Sequence, residues 1–418
     1  MPAALTLLLD VAALLVSKAT FIGLRLLTLY WCASLSGSIE FGTLSLAFTV
    51  AEICRFVGDW GCDTLALRRF SRPDLGEAQQ QLWQLLPLRV MSSLVAGTLA
   101  LLIITQVVQT AVPMHGWLIA ATAVSSLWLN LGVNWLQARG ELKSGAALLA
   151  VMALGTAAVL LHILRGQSSI SQLLMVLIGS ELLMAACLLA LIARRQRLRF
   201  VLNHSQLLDW LRQATPIALA AFIALAYGRF DFFFIKAQAP GQALGDYALA
   251  NRMTEPCLFI AAALASTLYA RAASRALVGD AGLQDMAWIW VRRVVSVAAV
   301  LGLLLFVVLP QFLAFRFPDY HQAPLFARFA ALTLAFRCIN LCLTAFIQAT
   351  GAYGQMLRLS VFNMFLIALL VFALGGLWSA VGAAAAVAVG EMVNTVRQWR
   401  VLGRQLKLSP ATFSSQPP

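Results

Sequence analysis

Apolar stretches of about 20 residues recur along this 418-residue chain from Leu7 to near its end, each close to the length that crosses a ~30 Å hydrocarbon core. Lipid offers no partners to free backbone N–H and C=O groups, so only helices or a closed barrel can span it. The runs lack the alternation of barrel strands, which leaves helices. Composition agrees, with 61% hydrophobic and 11% charged residues against about 25% charged in a soluble domain. The pattern predicts an all-α integral membrane protein. Helices are expected near 9–33, 41–66, 85–110, 116–137, 144–164, 170–193, 214–236, 243–269, 287–310, 325–349, 355–374 and 377–400, about twelve in all. The N-terminus lacks a charged n-region and a small-residue cleavage site, and reads as retained sequence entering the first helix.

The basic residues orient these helices. Of 30 Lys and Arg residues, 19 fall in loops on one side, including Arg68, Arg69, Arg194, Arg195, Arg397 and Arg400. Only three, Arg165, Arg316 and Arg328, fall on the other. The positive-inside rule then puts the basic loops and both termini in the cytoplasm. The same distribution accounts for the net charge of +13 without nucleic acid, because the charges sit at helix ends rather than along a basic face. The seven Cys show no CxxC spacing, and the four His are isolated from one another, so neither a disulfide framework nor a metal site is implied.

The chain also repeats itself. FGTLSLAFTVAEIC, from Phe41 to Cys54, aligns without gaps on LGDYALANRMTEPC, from Leu244 to Cys257. In the same order, QARG from Gln137 answers QATG from Gln348, and Glu181 answers Glu391. A six-plus-six duplication follows. It divides the chain into an N-terminal bundle (1–193), a polar cytoplasmic linker (194–213), a C-terminal bundle (214–400) and a cytoplasmic tail (401–418).

Eight cations remain inside the proposed spans: Lys18, Arg25, Arg55, Arg89, Arg229, Lys236, Arg252 and Arg337. Arg89 and Lys236 read as snorkelling end residues. Each of the others costs about 2.5–3.5 kcal/mol at a helix centre and needs a reason to be there. Lys18 and Arg25, seven apart, share one helix face. Glu52 with Arg55, and Arg252 with Glu255, are spaced three apart and read as ion pairs that fix helix register, act in transport, or do both. Arg25, Arg229 and Arg337 have no partner apparent in sequence, and cations outnumber the carboxylates expected at this depth, chiefly Glu52, Asp231 and Glu255. That excess predicts a water-filled cationic passage. Guanidinium groups suit phosphate or pyrophosphate through bidentate hydrogen bonds. Asp231, inside the FDFFF run at Phe230–Phe234, is expected to turn inward towards Arg229 or Lys236, or to titrate during transport; the phenylalanines read as a packing or lipid surface. Pro216 and Pro256 are candidate kinks.

The stretch LSGSIEFGTLSLAFTVAEICRFVGDWGCDTLALRRF (Leu35–Phe70), with FG at Phe41, DWG at Asp59–Gly61 and RR at Arg68, resembles the opening of polysaccharide-transport flippases. These are the O-antigen and exopolysaccharide translocases of the multidrug/oligosaccharidyl-lipid/polysaccharide superfamily. YGRFDFFFIKA followed by LGDYALANRMTEP resembles the start of that family's second half. Together these motifs cover about a fifth of the chain. The resemblance implies two pseudo-symmetric, MATE-like six-helix bundles in a V that move an undecaprenyl-pyrophosphate-linked glycan across the bacterial inner membrane by alternating access. Partners would include a polysaccharide polymerase and chain-length proteins. On this reading Lys18, Arg25, Arg55, Arg229, Arg252 and Arg337 bind substrate, and Glu52, Asp231 and Glu255 serve coupling or gating. No cofactor is expected beyond proton or sodium coupling.

An ion-coupled drug or metabolite exporter of the same superfamily is the alternative, for which a more acidic cavity is expected. A membrane glycosyltransferase or polymerase fits poorly, because the outer loops are short and their acids are essentially Glu40, Asp246 and Asp319. The chain is therefore read as a non-enzyme. It also carries no GxxxxGK[ST] motif, so the energy source is expected to be a gradient or substrate flux.

Overall fold

The computed structural model describes residues 23–70, 74–110, 112–139, 141–165, 169–195, 199, 203–239, 241–277 and 282–412. Lys18, the start of the first helix, part of the 194–213 linker and the end of the tail lie outside them. All regular structure among the described residues is helical. The chain divides into two compact units, one ending at Leu225 and one beginning at Ala226.

The N-terminal unit contains α1 (23–35), α2 (Ser38–Asp59), a short α3 (Cys62–Phe70), α4 (Leu75–Ile103, extended by a π-helical turn, Ile104–Val108), α5 (Pro113–Ala138), α6 (Leu142–Leu164) and α7 (Ile170–Arg195). The single helix expected over 41–66 is broken. Trp60 (φ 46°) and Gly61 (φ 74°) are both left-handed, which ends α2 and reverses the chain into α3. The Asp59 carboxylate accepts from the Asp63 backbone N–H at 3.1 Å, so the DWG segment is a helix-capping turn. Asp74 caps α4 in the same manner, accepting from the N–H groups of Gly76 and Glu77.

α8 (His204–Gln238) runs from the first unit into the second. The C-terminal unit continues with α9 (Gln242–Leu277), α10 (Gly282–Arg316) and α11 (Ala323–Ala349). The final stretch, Tyr353–Thr412, is split by non-helical backbone at Trp378 and Ser379 (φ 53°, ψ −135°) into α12a and α12b. The corner is tight: a Cβ on Gly382 would lie 1.9 Å from the Leu374 carbonyl oxygen, so only glycine fits there.

Eight described helices are long and apolar enough to cross a membrane. That count treats α12a and α12b as one stretch and omits α1, α8 and α9. α1 is described only from residue 23, and α8 and α9 carry more charge. The twelve-crossing reading therefore stands. In each unit the fourth crossing lies at the centre: α5 packs on α2, α3, α4 and α7, and α11 on α9, α10 and α12. Close approach at these seams depends on small residues, such as Gly132 against Leu188 and Gly302 against Ala335. Large apolar side chains such as Leu154, Val300 and Phe315 point outward, as lipid-facing surfaces require.

Candidate functional site: buried arginine–carboxylate clusters

The arginines that lacked a sequence partner all have one in space. In the N-terminal unit, Arg25 on α1 donates to both Glu181 carboxylate oxygens, at 2.7 and 3.1 Å, and to Ser126 Oγ at 2.8 Å. Ser125 Oγ donates to the same glutamate at 2.6 Å. Glu181 is 1% exposed, so its charge is balanced almost wholly by these groups.

The repeat places a matching carboxylate in the C-terminal unit. Arg337 on α11 donates to Glu391 on α12b at 2.9 Å, and Asn340 adds a second donor at 2.8 Å. Glu255 on α9 collects two guanidinium groups: Arg229 from α8 at 3.0 Å, and Arg252 from its own helix at 2.8 and 3.0 Å. The Arg252–Glu255 pairing is one of the two that the spacing predicts. Asp231 departs from expectation. Its carboxylate accepts a hydrogen bond from the Tyr247 hydroxyl rather than pairing with Arg229 or Lys236, and its Oδ1 is buried without a hydrogen-bond partner among the described residues. Arg337 and Arg229 remain within electrostatic reach. The FDFFF ring faces pack edge-on, Phe232 against Tyr247 and Phe230 and Phe234 against Phe372, as a packing surface.

Arg89 corrects another expectation. It is 1% exposed and bridges Asp59 at 3.0 Å and Asp63 at 2.5 Å, instead of snorkelling to an interface. The Trp60–Gly61 turn folds the two aspartates onto one side, and Asn130 on α5 donates to Asp63 at 3.1 Å. Buried Asp59 and half-buried Asp63 thus share one guanidinium. Lys236, two residues from the end of α8, keeps the end position predicted for it. Arg55 lays its guanidinium over Phe56, 4.3 Å from the ring centroid. Glu52 sits one turn before it on α2, half-buried.

Among the described residues, which leave out Lys18, the apparent excess of cations disappears. Arg25, Arg55, Arg89, Arg229, Lys236, Arg252 and Arg337 share the described helices with Glu52, Asp59, Asp63, Glu181, Asp231, Glu255 and Glu391. Asp59, Asp63, Glu181 and Glu391 were missing from the sequence-derived site. The duplication had matched Glu181 to Glu391, which was the available signal, while Asp59 entered only as part of the DWG motif and Asp63 was not singled out.

In the N-terminal unit, Arg69 packs its guanidinium 4.1 Å from the Trp210 ring and donates to Asp209 at 2.8 Å and Gln81 at 2.9 Å. Arg69, followed by Gln213, holds the Asp209 carboxyl below its usual range.

The sequence matches no protein-family model and no curated protein. Its structure is similar to that of an inward-facing multidrug-resistance MATE family transporter of the MOP superfamily, with a TM-score of 0.75 and 13% identity over 96% of this chain and 99% of that one. It is also similar to an outward-facing transporter of that family, with a TM-score of 0.71 and 12% identity over 97% of this chain and 96% of the other. A MOP superfamily transporter from Pyrococcus furiosus, described as having a binding pocket of reverse polarity suggestive of a different function, aligns with a TM-score of 0.67 and 14% identity over 96% of each chain. The chain thus has the fold of MATE transporters, and it is an all-α, multi-pass membrane protein.

Proposed function

We propose that this chain, with its MATE transporter fold, is a secondary transporter that exports an amphiphilic solute by ion-coupled alternating access. The carrying observation is the set of buried, charge-balanced arginine–carboxylate clusters inside apolar helices. Such groups are expensive in a membrane and are retained where a substrate, an ion or a conformational switch uses them. Likeness to neighbours in both inward- and outward-facing states supports alternating access. The balance of charge also removes the argument that the membrane core is too cationic for an exporter.

A second reading is favoured by a separate observation, the motif order from Leu35 to Phe70 and from Tyr227 to Pro256. On that reading the substrate is an undecaprenyl-pyrophosphate-linked glycan in the bacterial inner membrane, the termini are cytoplasmic, and Lys18, Arg25, Arg55, Arg229, Arg252 and Arg337 exchange carboxylates for pyrophosphate oxygens during passage. A polymerase and chain-length proteins would then act next.

Reconstitution separates the two. Purified full-length protein in proteoliposomes is given a proton or sodium gradient, with either a fluorescent amphiphilic dye or a fluorescent polyprenyl-pyrophosphate sugar. Gradient-dependent dye movement supports the exporter; movement of the lipid-linked sugar alone supports the flippase. Movement of neither under any gradient contradicts both.

A further inference from the structure

We propose that the basic end of the C-terminal unit, where α10 and α12b meet through Trp288 and Trp399, binds the phosphate headgroup of an anionic phospholipid. The inference is independent of the transported substrate.

The two helices approach through side chains. The Trp288 and Trp399 rings lie 5.1 Å apart at 46°, and Gly403 keeps its helix surface open beneath the Trp288 ring, whose nearest atom would be 4.0 Å from an added Cβ. Five arginines lie on the same turns of the two helices: Arg292 one turn after Trp288, Arg293 next to it in sequence, and Arg397, Arg400 and Arg404 flanking Trp399 on α12b. None of the five makes an ion pair among the described residues. The acid on the same stretch of α10 is Asp285, two turns before Arg292.

Loop-charge bias explains how many arginines collect at this end, but it does not explain how they are arranged. Arg397 is drawn onto the Phe362 ring, 3.4 Å from its centroid, with Nη1 buried and without a hydrogen-bond partner. A buried guanidinium nitrogen is costly to leave unmet, and phosphate oxygens are its best geometric match. Arg293 lies over Trp290, its guanidinium 5.3 Å from the ring, leaving its edge N–H groups available.

Chemistry on the membrane side selects a lipid over a free anion. Along α10 the basic turn is followed by outward-facing Val297 and Val300, and along α12b by Val396 and Met392. Arginines and indoles therefore adjoin outward-facing apolar side chains on both helices. That order, charge then indole then hydrocarbon surface, matches a phospholipid from headgroup to acyl chain.

The test titrates detergent-purified full-length protein with dioleoylphosphatidylglycerol, dioleoylphosphatidylcholine or inorganic phosphate and follows the thermal unfolding midpoint. Phosphatidylglycerol is expected to raise the midpoint saturably, while the other two leave it within error. Arg397→Gln with Arg400→Gln should weaken the apparent affinity, by about fivefold for each arginine removed. The exposed single variant Arg292→Gln, which disturbs no packing, should show its own fivefold loss and guards against a fold defect in the double variant. An equal shift with phosphatidylcholine would mean generic lipid solvation, and an equal shift with phosphate a free-anion site. Either result, or unchanged phosphatidylglycerol affinity in both variants, overturns the proposal.

Discussion

In the N-terminal unit Glu181 on α7 receives its guanidinium from α1 and a hydroxyl from Ser125 of α5, while Ser126 accepts from the same arginine. In the C-terminal unit the matching Glu391 receives its guanidinium from α11 itself. The register that sets Gln137 on Gln348 sets Ser126 on Arg337, so the arginine has changed helices while the carboxylate has stayed in place. The counterpart of Arg25 on α8, Arg229, is then free to serve Glu255. A duplicated fold thus keeps its buried acid and varies the source of the base. Net charge at the position, rather than the identity of the donor helix, is what the buried glutamate requires.

The largest effect should come from the most enclosed base. Arg89→Ala leaves buried Asp59 beside half-buried Asp63 with no guanidinium between them. It is expected to cost about 3–5 kcal/mol in equilibrium unfolding in detergent. Arg25→Ala and Arg337→Ala should each cost less, about 1–3 kcal/mol, because their side chains are 27% and 22% exposed and Ser125 and Asn340 remain as donors to the two glutamates. Markedly unequal losses at Arg25 and Arg337 would break the comparison.

Moving the base sharpens it. Arg25→Ser combined with Ser126→Arg transplants the C-terminal arrangement into the N-terminal unit. It should recover at least half of the stability lost in Arg25→Ser alone, a coupling of about 0.5–3 kcal/mol. In the C-terminal unit, Arg229 and Arg252 share one carboxylate. Removing either should cost less than half of what the double replacement costs, and additive losses would show that the two act separately.

Tyr247→Phe has no N-terminal counterpart to compare and isolates Asp231. Deleting its hydroxyl donor should destabilise by about 1–3 kcal/mol. The smallest effect belongs to Asp209, which is exposed. Because Arg69 lowers its folded-state pKa, its contribution is present above the ordinary carboxylate range and is lost as pH falls through the depressed value. Asp209→Asn should therefore flatten the acid side of the stability–pH profile slightly, with no change near neutrality.

The twelve crossings and the duplication were legible because both are written in periodicities longer than any one side chain. The breaks within that pattern were not. Trp60 and Gly61 sit inside a stretch read as one helix from 41 to 66, and their left-handed backbone shows that α2 stops there. The site was half legible. Depth singled out the arginines, since a cation among twenty apolar residues is conspicuous. Their partners lie up to 156 positions away, and no local spacing reports a contact made by packing α1 on α7. Arg252 with Glu255, three apart on one helix, is the pair that spacing could find. Arg89 was misjudged because its position near a predicted helix start suggested an interface, whereas α4 begins ten residues earlier, at Leu75, and carries it inside.

The central claim is that the buried Glu181 and Glu391 clusters form the working machinery of transport and not only its scaffolding. The direct measurement is gradient-driven transport in proteoliposomes by Glu181→Gln with Glu391→Gln, set beside the unmodified protein at matched folded amounts. The account predicts that the double variant remains folded, since glutamine keeps the shape and its carbonyl oxygen still accepts from one donor at each site, but loses at least about tenfold in gradient-dependent flux, or about 1.4 kcal/mol in the rate-limiting step. Unchanged flux with unchanged gradient dependence would contradict it and leave the clusters as structural ion pairs.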